Sequence, residues 1–144
     1  MRIINLLLLA ITLAFSSVAL AKKPLYMFVS HASVGAASGV FWQAVKKGME
    51  DACELYEADC QMVYLQSQDG NIGEEVANFE LAIAAGADGI ATTIYDTTSF
   101  DGPIDEALAE GINVISYNID DENSPNNRQA YIGQSLRVAG YDLM

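Results

Sequence analysis

The chain has 144 residues, 19 of them acidic and 7 basic, for a formal net charge of −12. That balance speaks against nucleic acid or anionic lipid as a partner, because both reward clusters of Lys and Arg. It favours solubility and leaves the fold open.

The first 21 residues have the pattern of a secretory signal. Met1 and Arg2 give a short positive start, and residues 3–15 are almost wholly apolar, interrupted by Asn5 and Thr12. Ser16, Ser17 and Val18 then lead into Ala19-Leu20-Ala21, whose small outer residues suit signal peptidase, so cleavage is expected after Ala21. The apolar run is shorter than the roughly 20 residues a bilayer span needs. No Cys follows it closely, so neither a lipid anchor nor a membrane anchor is expected. The remainder, residues 22–144, is long enough for one domain.

Beyond the signal the chain alternates apolar runs with helical periodicities. Leu25-Tyr26-Met27-Phe28-Val29 is continuous enough for a strand buried on both faces. A Ser-, Ala- and Gly-rich loop covers residues 30–39, and a helix is expected over 40–56. On that helix Phe41, Val45, Met49, Ala52 and Tyr56 recur at helical spacing as the buried stripe, leaving Trp42 outside it. Gln61-Met62-Val63-Tyr64-Leu65 is the second strand.

Asp69-Gly70-Asn71 is a turn that can cap the next helix, over 72–85, with Ile72, Val76, Phe79 and Ile83 on one side and Gly86 at its end. Gly89-Ile90-Ala91-Thr92-Thr93-Ile94 follows as a strand. Pro103 marks the start of a helix whose buried side is Ile104, Ala107 and Leu108. Gly111 stops it before Ile112-Asn113-Val114-Ile115-Ser116. A short fifth strand, Ala130-Tyr131-Ile132, closes the pattern, and Gly133 opens a last helix. Residues 82–90 echo residues 107–115, each a helix end, a glycine stop and a buried strand. The rhythm predicts an α/β fold, a doubly wound parallel sheet with helices on both faces.

Ligands of such sheets sit at the carboxyl ends of the strands. The loops there are 30–39, 66–71, 95–102 and 117–127. The first resembles neither a dinucleotide fingerprint nor a Walker loop. Trp42 offers a flat apolar surface suited to stacking on a sugar ring, or equally to packing against a neighbouring loop. Asp96, Asp101, Asn118, Asp120, Asp121 and Glu122 supply oxygens able to bind vicinal hydroxyls, and are also common turn residues. Asp96 and Asn118 lie nearest the strand ends and are the better candidates. Asp120-Asp121-Glu122 is expected as a solvated acidic patch, with a weak Ca²⁺ site as the alternative. No metal site or cofactor is expected. His31 has neighbouring serines without a nucleophile elbow, so no catalytic set and no enzyme is expected. Cys53 and Cys60 flank one turn, which permits a disulfide in an oxidising compartment and equally two buried thiols.

The ordered set of Met27-Phe28-Val29-Ser30, Val40-Phe41-Trp42-Gln43-Ala44-Val45-Lys46-Lys47-Gly48, Ala85-Gly86-Ala87-Asp88-Gly89-Ile90, Gly111-Ile112-Asn113-Val114-Ile115-Ser116 and Ala130-Tyr131-Ile132-Gly133-Gln134 resembles the ribose/galactose-type periplasmic sugar-binding proteins, the solute receptors of ABC importers. The resemblance implies the first of two α/β lobes that close on a sugar, and hence an incomplete lobe, since a full member is about twice as long and Met144 falls inside a helix. It implies an uncovered sheet edge, a periplasmic location, a small-molecule sugar as ligand, and an inner-membrane permease with its ATPase as partners. It places Phe41 and Trp42 as paired aromatics lining the sugar, Asn118 as the polar position after the fourth strand, and Asp96 as a polar ligand contact after the third. Ile119 stands where the ribose binders carry Arg, and the first loop is longer, both departures from the ribose pattern. Two other readings stay open: a receptor of the same fold for a nucleoside or quorum signal, and an exported hydrolase.

Overall fold

A computed structural model describes residues 22–121 and 126–143. The expected signal segment, and Glu122 of the acidic run, lie outside the described residues. The elements are β1 (Leu25–Ser33), a 3-10 turn (Ala36–Ser38), α1 (Val40–Leu55), β2 (Asp59–Leu65), α2 (Ile72–Ala84), β3 (Gly89–Thr92), α3 (Asp101–Ala109), β4 (Asn113–Asn118), β5 (Ala130–Gly133) and α4 (Leu136–Asp142). The strands form one sheet in the order β2-β1-β3-β4-β5. All four pairings are parallel. Chain direction across the sheet reverses between β1 and β3, which makes the carboxyl ends of those two strands the topological switch point.

Alternation along the strands divides the core. Met27, Val29, Ile90 and Val114 face α2 and α3, packing with Phe79, Ile83, Phe100, Ile104 and Ala107. Phe79 and Phe100 meet edge to face with centroids 6.3 Å apart. On the other face Phe28, Ala91, Ile115 and Tyr117 gather around Trp42 and Val45 of α1. Among the described residues α1 is the helix packed on that face, and Tyr26 remains 40 % exposed there.

The internal echo has a backbone cause. After α2, Gly86 N–H donates to Ile83 O and Ala87 N–H to Ala82 O; after α3, Gly111 N–H donates to Leu108 O and Ile112 N–H to Ala107 O. Both are the same reciprocal C-cap, and it needs the left-handed φ of 68° at Gly86 and 82° at Gly111. At the other end of α2, Asn71 Oδ1 accepts from Glu74 N at 3.2 Å.

Three expectations are corrected. β1 extends through Ser33, where the sequence suggested a loop from Ser30. Beyond Val29 the ladder is irregular, and side chains replace strand partners: His31 N–H donates to Thr93 Oγ1 and Ser33 N–H to Asp69 Oδ1. The buried face of α1 is also rotated. Trp42 is 8 % exposed and Phe41 54 %, the reverse of the expected stripe. The aromatic set Phe28, Tyr64 and Tyr117 on the sheet offers Trp42 the larger buried surface, and Val45 and Met49 serve either register. Finally, Asp120 is no solvated residue. Its Oδ2 lies 2.8 Å from Arg128 Nη2, with the two side chains 6 % and 11 % exposed.

Candidate functional site

α1 leaves room beside it on the sheet face toward β5. The resulting cleft, about 470 Å³, is floored by Phe28, Ala91 and Ile115, which stand in one row of adjacent strands. Phe41 and Val45 wall it on the α1 side, and Tyr117, Asn118, Ile132, Gly133 and Gln134 on the side of β4 and β5. A mostly apolar floor with a few polar groups at the strand ends is the composition of a small-molecule site.

The four residues singled out in the sequence take different places. Phe41 lines the cleft with an exposed ring. Asn118 lines it too, at the end of β4, with φ 63°. A left-handed backbone is uncommon outside glycine, and Asn is among the residues that tolerate it. Its backbone carbonyl accepts a hydrogen bond from the Tyr131 hydroxyl at 2.9 Å, which ties the end of β4 to β5. Trp42 lies behind this surface. Its ring is edge-on to Phe41 at 5.1 Å, His31 at 5.4 Å, Tyr64 at 6.3 Å and Tyr117 at 6.5 Å. Asp96 closes a turn, its Oδ1 accepting from Thr98 N at 3.1 Å and Ser99 N at 2.7 Å. The Ser99 hydroxyl and these backbone donors hold its carboxyl below the usual range. The structure thus brings Phe41 and Asn118 together in the cleft, packs Trp42 behind Phe41, and leaves Asp96 in a turn outside the cleft lining.

Sequence reasoning missed a polar cluster at the switch point. Glu75 of α2 is fully buried, and the Thr93 hydroxyl donates to its Oε1. Burial pushes this carboxyl up to about 7, with the Thr93 and Tyr95 hydroxyls opposing the shift. Thr93 Oγ1 in turn accepts from His31 N at 2.9 Å. The His31 ring packs between Trp42 and Tyr95, at 5.4 and 5.5 Å. Burial lowers its pKa, against the pull of Asp69. The available signal was Glu75 itself, a charge one residue before Val76 on the apolar side of α2.

Cys53 and Cys60 are bonded across the turn between α1 and β2, with Cα atoms 6.2 Å apart. That separation lies inside the usual range for a disulfide.

The fold and the cleft define a class: an open parallel α/β lobe with a cleft on its sheet face that reaches the carboxyl end of β4. Residues 32–144 match the family described as periplasmic binding protein domain, and the chain belongs to that family. It is 32 % identical over 122 residues to the xylose/arabinose-binding protein XylF of Sulfolobus acidocaldarius, covering 79 % of this chain and 29 % of that protein. Among solved structures it is similar to XylFII, at 26 % identity and TM-score 0.71, over 84 % of this chain and 43 % of that one. An ABC sugar transporter periplasmic sugar-binding protein from Legionella pneumophila shares the fold at TM-score 0.76 and 24 % identity, over 84 % and 43 % of the two chains. The chain therefore spans less than half the length of these relatives.

Proposed function

We propose that this chain is the sugar-binding first lobe of an exported solute receptor, which captures a monosaccharide for an ABC importer. The observation that carries the reading is the cleft on the sheet face, lined both by Phe41 with its exposed ring and by Asn118 at the end of β4. An aromatic face takes the apolar side of a pyranose or furanose, and a nearby amide both donates to and accepts from its hydroxyls. The likeness to a xylose/arabinose-binding protein favours an aldopentose. Ligand is held by stacking and hydrogen bonds, and closure of a second lobe shifts the population toward the bound form. No catalytic step is assigned.

Export through a signal cleaved after Ala21 into the periplasm accords with the Cys53–Cys60 bond, since disulfides persist in oxidising compartments. Delivery to an inner-membrane permease and its ATPase follows from the same reading. A second reading has one observation behind it: a similar solved structure is a complex of XylFII with LytSN, at 26 % identity and TM-score 0.71. On that reading the receptor passes its ligand state to a partner protein.

The test is a thermal-shift screen of the full-length protein against pentoses, hexoses, polyols and nucleosides. A ligand that binds only the folded state raises the melting temperature by linkage. A shift with a sugar supports the proposal. A shift confined to nucleosides moves the protein to the non-sugar branch of the fold.

A further inference from the structure

The cleft described above has a buried support that its own lining does not explain. Glu75 lies in α2, on the opposite side of the sheet from Trp42, yet a chain of contacts joins them around the ends of β1 and β3. Glu75 Oε1 accepts from Thr93, Thr93 Oγ1 accepts from His31 N, and the His31 ring lies against Trp42 and Tyr95. Glu75 Oε2 and the Tyr95 hydroxyl are enclosed beside each other without a standard hydrogen bond, as is His31 Nδ1. A buried carboxylate oxygen left without a donor loses its hydration with nothing in return. Neutral Glu75 escapes that cost, and ionised Glu75 escapes it only through the Tyr95 hydroxyl beside it.

We propose that Glu75 is a positioning residue for the sugar cleft: through Thr93 and Tyr95 it sets the corner formed by His31, Trp42 and Phe41, so that gaining or losing its proton moves the aromatic wall of the site. The proposal rests on the receptor reading for its ligand, while the movement of the corner does not. The titratable groups around Glu75 are His31 of β1, with Asp69 beyond it, Tyr95 and Asp96 after β3, and Tyr117 of β4. Tyr95 and Tyr117 are both pushed upward and stay neutral, and His31 is lowered. That leaves Glu75 as the group in this cluster that changes charge near pH 7.

Trp42 is the single tryptophan of the chain and reports on the corner directly. The experiment follows tryptophan emission with pH in the full-length protein, subtracting the emission of the matching Trp42→Phe variant. Wild type is expected to show a transition near pH 7, separate from a lower one due to His31. Glu75→Gln is expected to remove the upper transition. Thr93→Ser, which keeps the hydroxyl, is expected to retain it. In a protein that binds sugar, affinity should follow the same titration by about fivefold, the low end of site-to-site coupling, and Glu75→Gln should flatten it. An upper transition that is absent in wild type, or unchanged in Glu75→Gln, overturns the proposal, as does an affinity constant across that range. If no sugar binds, the receptor reading fails and the emission titration still decides whether Glu75 controls the corner.

Discussion

The imidazole of His31 lies edge-on to the indole of Trp42, their centroids 5.4 Å apart, so the end of β1 and the start of α1 share one aromatic contact. That contact makes Trp42 a part of the packed interior, 8 % exposed, while its neighbour Phe41 stands 54 % exposed at the cleft. Truncating the two rings should separate stability from binding. Trp42→Ala is expected to cost about 3–5 kcal/mol of stability. Phe41→Ala should leave the denaturant midpoint nearly unchanged and weaken sugar binding by about 1 kcal/mol, roughly fivefold. Urea melts and calorimetric titration of both variants check this. A Phe41→Ala protein with full affinity removes Phe41 from the site.

Stability should depend on pH through Glu75 in a definite direction. The folded carboxyl titrates at about 7, against an ordinary value of 4.5. Between those values the folded state keeps a proton that the unfolded state has lost, so stability falls as pH rises through that window. Above it the loss levels off at about 3 kcal/mol. His31 acts oppositely, because its lowered pKa costs stability as pH falls below 6.5. Glu75→Gln removes the first effect and keeps the second. The stability of Glu75→Gln minus that of wild type should therefore grow from about pH 4.5 to pH 7 and then stay flat, as chemical melts across pH will show.

Much of this architecture was legible in the chain. The order of strands and helices follows from apolar runs and glycine stops, and Gly86 and Gly111 serve as the C-caps that their spacing announced. The face of α1 was misread because Val45 and Met49 fit two overlapping stripes, and only the aromatic floor of the sheet decides between 41 and 42. Asp120 was misread for a different reason. Its partner, Arg128, lies eight residues further on at no regular spacing, and a charged residue in a loop gives no sign that it will be enclosed. The support at Glu75 depends on a side chain of one helix reaching the end of a strand that follows it, a relation that periodicity does not encode.

Asn118 combines a left-handed backbone with a place in the cleft, and two substitutions divide those roles. Asn118→Gly should keep or slightly improve the fold, since glycine adopts that φ freely, and should lose the amide's hydrogen bonds to ligand. Asn118→Val should lose binding and also about 1–3 kcal/mol of stability, because a β-branched residue is strained there. Melting temperatures alongside titrations distinguish the two. Equal stability of the glycine and valine variants would contradict the strain assigned to this position.

The Cys53–Cys60 bond closes a short loop, with a sequence separation of 7. Chain entropy for so small a loop gives about 2–3 kcal/mol. Reduction, or Cys53→Ser with Cys60→Ser, should lower the unfolding free energy by that amount and leave sugar affinity within about twofold, because the bond lies at the far end of α1 from Phe41. A thiol count on the denatured oxidised protein should find neither cysteine free.

The most direct measurement is a calorimetric titration of the full-length protein with xylose, arabinose, glucose and galactose, in wild type and in Asn118→Gly. A sugar-binding lobe predicts saturable binding of at least one aldose by wild type, markedly weakened by Asn118→Gly with the fold intact. Absence of heat with every sugar in a folded full-length protein, or an affinity that Asn118→Gly leaves unchanged, would contradict the cleft between Phe41 and Asn118 as a sugar site.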